Sequence, residues 1–145
     1  MACLPSLVRS GSHCLQVLVV DDNRDSADSL ALLVRLGGHQ VDVAYNGSVA
    51  LLLAEKNKPH VVLLDIGLPR VGGYQVVEVL RQRPETRHAL IVAVTGRSSN
   101  EDRQRSLEAG FDLHLVKPIE IEPLLRFLKG DPTITIEQQA IHYAF

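Results

Sequence analysis

The fold is decided by the stretch Val61-Val62-Leu63-Leu64-Asp65, in which four apolar residues precede an aspartate. A run this continuously apolar predicts a strand that is buried on both faces of a sheet. The segment Gln16–Val20 has the same character and ends at the pair Asp21-Asp22. Both predicted strands therefore carry carboxylates at their carboxyl ends.

Outward from these two strands, short β-rich apolar runs alternate with longer amphipathic stretches, which predicts alternating strands and helices. The predicted strands are Gln16–Val20, Gln40–Tyr45, Val61–Leu64, Ala89–Val94 and Leu113–Val116. The predicted helices are Ser26–Leu36, Ser48–Lys56, Tyr74–Arg83, Glu101–Ala109 and Glu120–Lys129. Strands joined by helical crossovers run parallel. We therefore predict an α/β fold, a doubly wound five-stranded parallel sheet with strand order 2-1-3-4-5 and helices on both faces.

Composition excludes several classes of function. The chain has 145 residues, 46% of them hydrophobic, and a formal charge of −2. It lacks the basic stripe of a nucleic-acid-binding protein, so we expect no direct nucleic acid binding. No apolar run approaches the roughly 20 residues that cross a bilayer. The first residues lack the apolar stretch of a secretory signal, and we expect a cytoplasmic protein with no membrane contact.

One domain is expected at this length, flanked by two short segments. Residues 1–14 are read as a leader or an expression-derived segment, and residues 15–130 as the folded domain. Residues 131–145 form a tail after the break at Asp131-Pro132. This tail is weakly periodic and is compatible with a linker, a short extra helix or an interaction strip.

Five chemically reactive residues follow predicted strands. Asp21 and Asp22 follow the first strand, Asp65 the third, Thr95 the fourth and Lys117 the fifth. Ligands of such sheets bind outside the carboxyl ends of the strands, so we expect these side chains to converge in one shallow pocket. Three clustered carboxylates repel one another unless a cation intervenes, and their oxygens suit Mg²⁺. No His or Cys contributes, which disfavours zinc.

The acidic pair has a purely structural alternative. Two aspartates after a strand can cap the following helix or form a turn. The joint occurrence of Asp21-Asp22, Asp65, Thr95 and Lys117-Pro118, each at its own strand end, favours the functional interpretation.

With these residues in this order, the sequence resembles the receiver domain of two-component response regulators over residues Leu15–Gly130. The resemblance implies a flavodoxin-like fold and phosphorylation of Asp65. The implied donor is the phosphohistidine of a histidine kinase or a histidine phosphotransfer protein, or a small acyl phosphate. The protein would catalyse its own modification and would not otherwise be an enzyme, with kinase activity only if it is part of a larger hybrid histidine kinase.

The resemblance also implies roles at the metal site. Asp22 and Asp65 would bind Mg²⁺ directly, and Asp21 would act through a bound water. The backbone carbonyl of Gly67 would complete the protein ligands.

Three further residues take roles from the resemblance. Lys117 would supply a fixed positive charge for phosphoryl oxygens, and Pro118 would follow it through a cis peptide bond. Thr95 would move to bind a phosphoryl oxygen and so act as a switch.

Two departures from the family pattern modify these expectations. His114 stands where the family often has Tyr or Phe as a second switch residue. Gly67 and Arg97 occupy the positions that adjust the lifetime of the phosphate. Since Gly67 cannot orient a hydrolytic water and Arg97 can shield the phosphate, we expect slow self-dephosphorylation.

The output surface is expected to comprise the fourth helix, the fifth strand and the fifth helix. It would include Arg103, Arg105, Lys129 and His114. A homodimer through this surface is an open alternative, and the downstream effector is unknown.

Three other interpretations compete with a stand-alone receiver. The chain could be the receiver of a hybrid sensor histidine kinase. A phosphatase with an aspartate nucleophile, of the haloacid dehalogenase type, would need a second aspartate where Gly67 stands. A flavodoxin-like binding module would need a phosphate-cradling loop where Asp21-Asp22-Asn23 stands, and the charge of that segment is wrong.

Overall fold

The structure is a computed structural model of the 145-residue chain. It describes residues 14–68, 70–96, 100–130, 134–137 and 140–143. Residues 1–13 of the predicted leader, Pro69 and Arg97 lie outside these residues, and so does the side chain of Arg103.

A five-stranded parallel sheet forms the centre of the molecule. Its strands are β1 (Gln16–Val20), β2 (Gln40–Ala44), β3 (Val61–Asp65), β4 (Leu90–Thr95) and β5 (Leu113–Val116). The order across the sheet is β2-β1-β3-β4-β5, and all four ladders are parallel. The predicted topology is confirmed.

Five helices cover the sheet. They are α1 (Arg24–Leu36), α2 (Gly47–Asn57), α3 (Gly73–Gln82), α4 (Asn100–Ala109) and α5 (Ile121–Leu128). Helices α1 and α5 pack on one face of the sheet, where Ala31 and Leu124 are buried among residues of the strands. Helices α2 and α3 cover the other face, where α4 also packs against α3. The prediction of helices on both faces is confirmed.

The continuous apolar runs follow from this double coverage. In β3, Leu63 is buried toward the α1–α5 face, and its neighbour Leu64 is buried toward the α2–α3 face. Successive residues of a strand point to opposite faces, so each face needs its own apolar set. Among the described residues, no helix is long and apolar enough to cross a membrane.

The described part of the predicted tail forms two short strands rather than a helix. They are β6 (Ile134–Glu137) and β7 (Ala140–Tyr143), which pair antiparallel as a hairpin. The sequence prediction of a linker, extra helix or interaction strip missed these strands, because each has only four residues.

Candidate functional site

The carboxyl edge of the sheet carries the residues that the sequence singles out. Asp65 is the last residue of β3, and Thr95 is the last residue of β4. Asp21 and Asp22 follow β1 directly, and Lys117 follows β5. Because the strands are parallel, all these positions lie at one edge.

Three carboxylates meet at this edge. Asp21, Asp22 and Asp65 each offer a carboxylate oxygen within 4.8 Å of the others. Asp21 is buried, Asp65 is half-buried and Asp22 is exposed, so the cluster opens to solvent on one side. Hard oxygen ligands in a partly open arrangement fit Mg²⁺, which keeps several waters when bound to proteins.

A single ammonium group bridges two of these carboxylates. The Nζ atom of Lys117 lies 2.9 Å from Asp21 Oδ2 and 3.3 Å from Asp65 Oδ2. The backbone N–H of Lys117 donates to the carbonyl of Thr95 at 2.8 Å, which ties the lysine to the end of β4. The peptide bond between Lys117 and Pro118 is cis.

The pKa of Asp65 is raised above its usual value. Burial is the largest cause, and the nearby charge of Asp21 acts in the same direction. The N–H of Gly67 and the ammonium of Lys117 oppose this rise without cancelling it. The metal-free site therefore holds more carboxylate charge than its surroundings stabilise.

The pKa of Lys117 is also raised. Burial is the largest single influence and lowers this pKa, but the hydrogen bond to Asp21 and the charges of Asp65 and Asp21 together outweigh it. The ammonium form of Lys117 is therefore favoured, and a fixed positive charge faces Asp65.

Helix capping at this edge falls to Asn23 and not to the acidic pair. The Asn23 side chain accepts a hydrogen bond from Ser26 N at 3.0 Å and caps α1. Asp21 Oδ1 instead accepts from Asn23 N at 2.9 Å. The cap also explains why α1 begins at Arg24, two residues before the predicted start at Ser26. Asp21-Asp22 therefore does not cap α1, whereas the contact of Asp21 with Asn23 N is a turn of the kind that the structural alternative allowed.

The loop after Asp65 approaches the site through backbone atoms. Gly67 N donates to Asp65 Oδ1 at 2.8 Å and fixes one oxygen of that carboxylate. Gly73 begins α3 directly against this loop, and a Cβ atom there would lie 2.5 Å from Ile66 Cα. Only glycine permits this approach, which joins the start of α3 to the backbone beside Asp65.

The two predicted switch residues are both buried. Thr95 is 8% exposed, and His114 is 2% exposed. His114 pairs with Ala93 in the ladder, which places it toward the α2–α3 face. The expectation that the His114 side chain lies on the output surface is therefore wrong.

The sequence did not single out a ring contact between α3 and α4. The Arg105 guanidinium lies 4.3 Å from the ring centroid of Tyr74, and the Tyr74 ring meets Phe111 edge to face at 6.2 Å. Tyr74 follows Gly73, so this contact links α4 to the loop beside Asp65. The sequence feature that could have indicated this contact is Tyr74, an aromatic residue in the first turn of a predicted helix.

An apolar cavity of about 470 Å³ adjoins the lysine. Leu30 and Leu33 of α1 form one wall, and Ile121 of α5 lies among its other lining residues. Asp21 and Lys117 also line the cavity, which is therefore continuous with the acidic site.

Comparison with known proteins adds a family match. Residues 17–129 match the family model described as the response regulator receiver domain. This span contains every residue of the site described above.

Individual relatives support the same match. The chain is 40% identical over 115 residues to the transcriptional regulatory protein PrrA of Mycobacterium tuberculosis, covering 79% of this chain and 48% of PrrA. It is 31% identical over 114 residues to the polar-differentiation response regulator DivK of Brucella anthropi, covering 79% of this chain and 93% of DivK. The chain thus spans about half the length of PrrA and nearly all of DivK.

Among solved structures, the chemotaxis protein CheY4 of Vibrio cholerae matches with a TM-score of 0.76 and 28% identity. That match covers 81% of this chain and 98% of CheY4.

Proposed function

The chain belongs to the response regulator receiver family of two-component signalling, and from this premise we propose that Asp65 accepts a phosphoryl group in an Mg²⁺-dependent reaction. The observation that carries the proposal is the position of Lys117 Nζ, 3.3 Å from Asp65 Oδ2. It places a fixed positive charge beside the carboxylate that would receive the phosphoryl group. The carboxylates of Asp21 and Asp22 complete an arrangement that fits a hard cation.

The reaction would be an in-line displacement at phosphorus. A carboxylate oxygen of Asp65 forms the new O–P bond while the N–P bond of a phosphohistidine breaks, and the electron pair goes to the imidazole nitrogen. Such transfers depend mainly on positioning and charge neutralisation. Gly67 N holds one Asp65 oxygen, and Lys117 neutralises charge on the incoming oxygens. Bound Mg²⁺ would neutralise further charge on the phosphoryl oxygens.

Catalysis of this single transfer is the only activity that we propose. A phosphatase of the competing type would need a second carboxylate at Gly67. That position supplies a backbone N–H to Asp65 instead. Gly67 offers no side chain to orient a hydrolytic water, so slow self-dephosphorylation remains our prediction.

Switching would begin at Thr95 and His114. Thr95 ends β4 next to the site, and His114 lies on the adjacent strand, 2% exposed. A new dianionic group beside Thr95 would favour a different packing of these two residues. The surface formed by α4, β5 and α5 would carry the change to an effector.

A histidine kinase or a histidine phosphotransfer protein is the donor that we propose. The apolar cavity beside Lys117 supports this, since it offers a donor helix an apolar contact next to Asp21 and Lys117. Both a stand-alone regulator and the receiver of a hybrid histidine kinase are compatible with these residues. A cytoplasmic location remains a prediction.

The test is the intact mass of the protein after incubation with acetyl phosphate and Mg²⁺. We expect one phosphoryl increment in the wild type and none in Asp65→Asn or in the presence of a chelator. Asp25→Asn, an exposed aspartate in the first turn of α1, is the matched control and should label normally. An increment that persists in Asp65→Asn would contradict the proposed acceptor.

A further inference from the structure

The C-terminal hairpin lies beyond the family match. The match ends at residue 129, whereas β6 and β7 span Ile134–Glu137 and Ala140–Tyr143. The hairpin is therefore an addition to the receiver fold, and its role has to be sought in this chain.

The hairpin rests on two elements of the receiver fold. Strand β6 contacts α5, and strand β7 contacts both α5 and β5. An isolated two-stranded hairpin is at best marginally stable in water. Contact with α5 and β5 is thus what holds these two strands in place.

The register gives the hairpin one apolar face. Its four pairs are Ile134 with Tyr143, Thr135 with His142, Ile136 with Ile141, and Glu137 with Ala140. Neighbouring pairs belong to opposite faces of a sheet. The two pairs of large apolar residues therefore share a face, and such a hairpin is suited to covering another surface.

The strand that the hairpin contacts is an edge strand. Within the five-stranded sheet, β5 is the outermost strand and pairs only with β4. An uncovered edge is a template for pairing with another chain, and proteins commonly cover such edges with added segments. The hairpin lies against β5 without joining its ladder, since β6 and β7 form a separate sheet.

We propose that the hairpin is an intramolecular cover, which occupies the surface of β5 and α5 and keeps a second copy of the chain from pairing there. Displacing the hairpin would expose the outer edge of β5 together with α5. Since β5 and α5 belong to the surface expected to carry the output, the cover would also limit access to that surface. Self-association of this chain would then be limited by β6 and β7, which lie outside the family match.

The first test compares Ile136→Pro with the matched substitution Ile136→Val in the full chain. Proline disrupts strand pairing, whereas valine retains a high preference for strands. In sedimentation equilibrium without phosphodonor, we expect the wild type and Ile136→Val to remain monomeric. Ile136→Pro should self-associate at least about tenfold more tightly, a difference of about 1.4 kcal/mol.

Hydrogen exchange on the same samples checks that the domain remains folded. Exchange should accelerate in β5 and α5 of Ile136→Pro under monomeric conditions, and the central strands β1 and β3 should stay protected. If Ile136→Pro loses protection from exchange throughout the chain, the same measurements of self-association and exchange are made on Ile141→Pro, in the other strand of the hairpin.

Two results would overturn the proposal. One is a folded proline variant that stays monomeric. The other is a wild type that dimerises as tightly as the proline variant. Intact-mass labelling of the same samples reports separately on Asp65, so failure of phosphorylation and failure of the cover can be distinguished.

Discussion

The two ends of the sheet use charged residues in opposite ways. At the amino end, Arg81 donates to the carbonyls of Gly110, Arg87 and Ala89 and to the carboxylate of Asp112, at 2.6–2.9 Å. Asp112 also accepts from Ile91 N, the second residue of β4. One cation and one anion are thus satisfied by fixed protein partners, and together they connect α3 to the starts of β4 and β5.

At the carboxyl end the charges do not balance. Lys117 is the one cation among the described site residues, and it faces Asp21 and Asp65 while Asp22 remains exposed. A charged group whose partners are all fixed parts of the protein contributes to the stability of the fold. A charge that no fixed group of opposite sign balances is available to a ligand. An ion pair alone therefore does not mark a functional site, whereas carboxylates without a balancing cation do.

The largest expected effect is at Lys117. Lys117→Met should reduce the rate of labelling by acetyl phosphate about 100-fold, because one charge-stabilising donor is lost at the reacting oxygens. Lys56→Met, in the last turn of α2, should label at the wild-type rate. Time-resolved intact mass measures both rates, and equal rates would remove Lys117 from the mechanism.

The next effect is at the opposite end and concerns stability. Arg81→Met should lower the free energy of unfolding by about 2–3 kcal/mol, because several acceptors lose their donor. Urea denaturation measures this change, with exposed Arg87→Met as the matched control. Labelling of folded Arg81→Met should remain normal. A loss of labelling would mean that the two ends are coupled.

Replacement of aspartate by asparagine should have opposite effects on stability at Asp65 and at Asp112. Burial raises the pKa of Asp65, so the folded metal-free protein binds this proton more tightly than the unfolded chain does. The stability linked to Asp65 is therefore present at low pH and is lost as the pH rises through the raised pKa. In a chelator at pH 7, Asp65→Asn should raise the melting temperature by a few degrees.

Asp112→Asn should instead lower the free energy of unfolding by about 1 kcal/mol, because Arg81 loses a charged partner. Calorimetry at neutral and acidic pH checks both variants, and the gain from Asp65→Asn should shrink on acidification. Added Mg²⁺ should stabilise the wild type more than Asp65→Asn. If Asp65→Asn is less stable than the wild type at neutral pH without metal, the site does not hold a surplus of negative charge.

The smallest expected effect is at Asn23, which lies in the acidic segment but has a structural task. Asn23→Ala should cost about 1 kcal/mol of stability through loss of the α1 cap. Asn23→Ser, which retains a capping oxygen, should be close to wild type in thermal denaturation. Labelling should be unchanged in both variants.

The topology of the sheet and the edge that carries the site follow from the order of residues along the chain. The four apolar residues before Asp65 require burial on two faces, and the alternation with helices requires parallel strands. Parallel strands then bring Asp21, Asp22, Thr95 and Lys117 to one edge. These conclusions depend on periodicity and chain order, which are properties of the sequence.

Which side chains meet was not evident from the order of residues. The tertiary structure buried His114 and placed Arg105 over Tyr74, because each outcome depends on contacts between distant segments. The α1 cap at Asn23 is instead a contact between residues three apart in the chain, which the sequence prediction of the helix start missed. The hairpin is the clearest case, since its four-residue strands are too short for a periodic signal and need α5 and β5 as support. The sequence specified the edge where chemistry occurs, and packing between distant segments specified how that edge is held and covered.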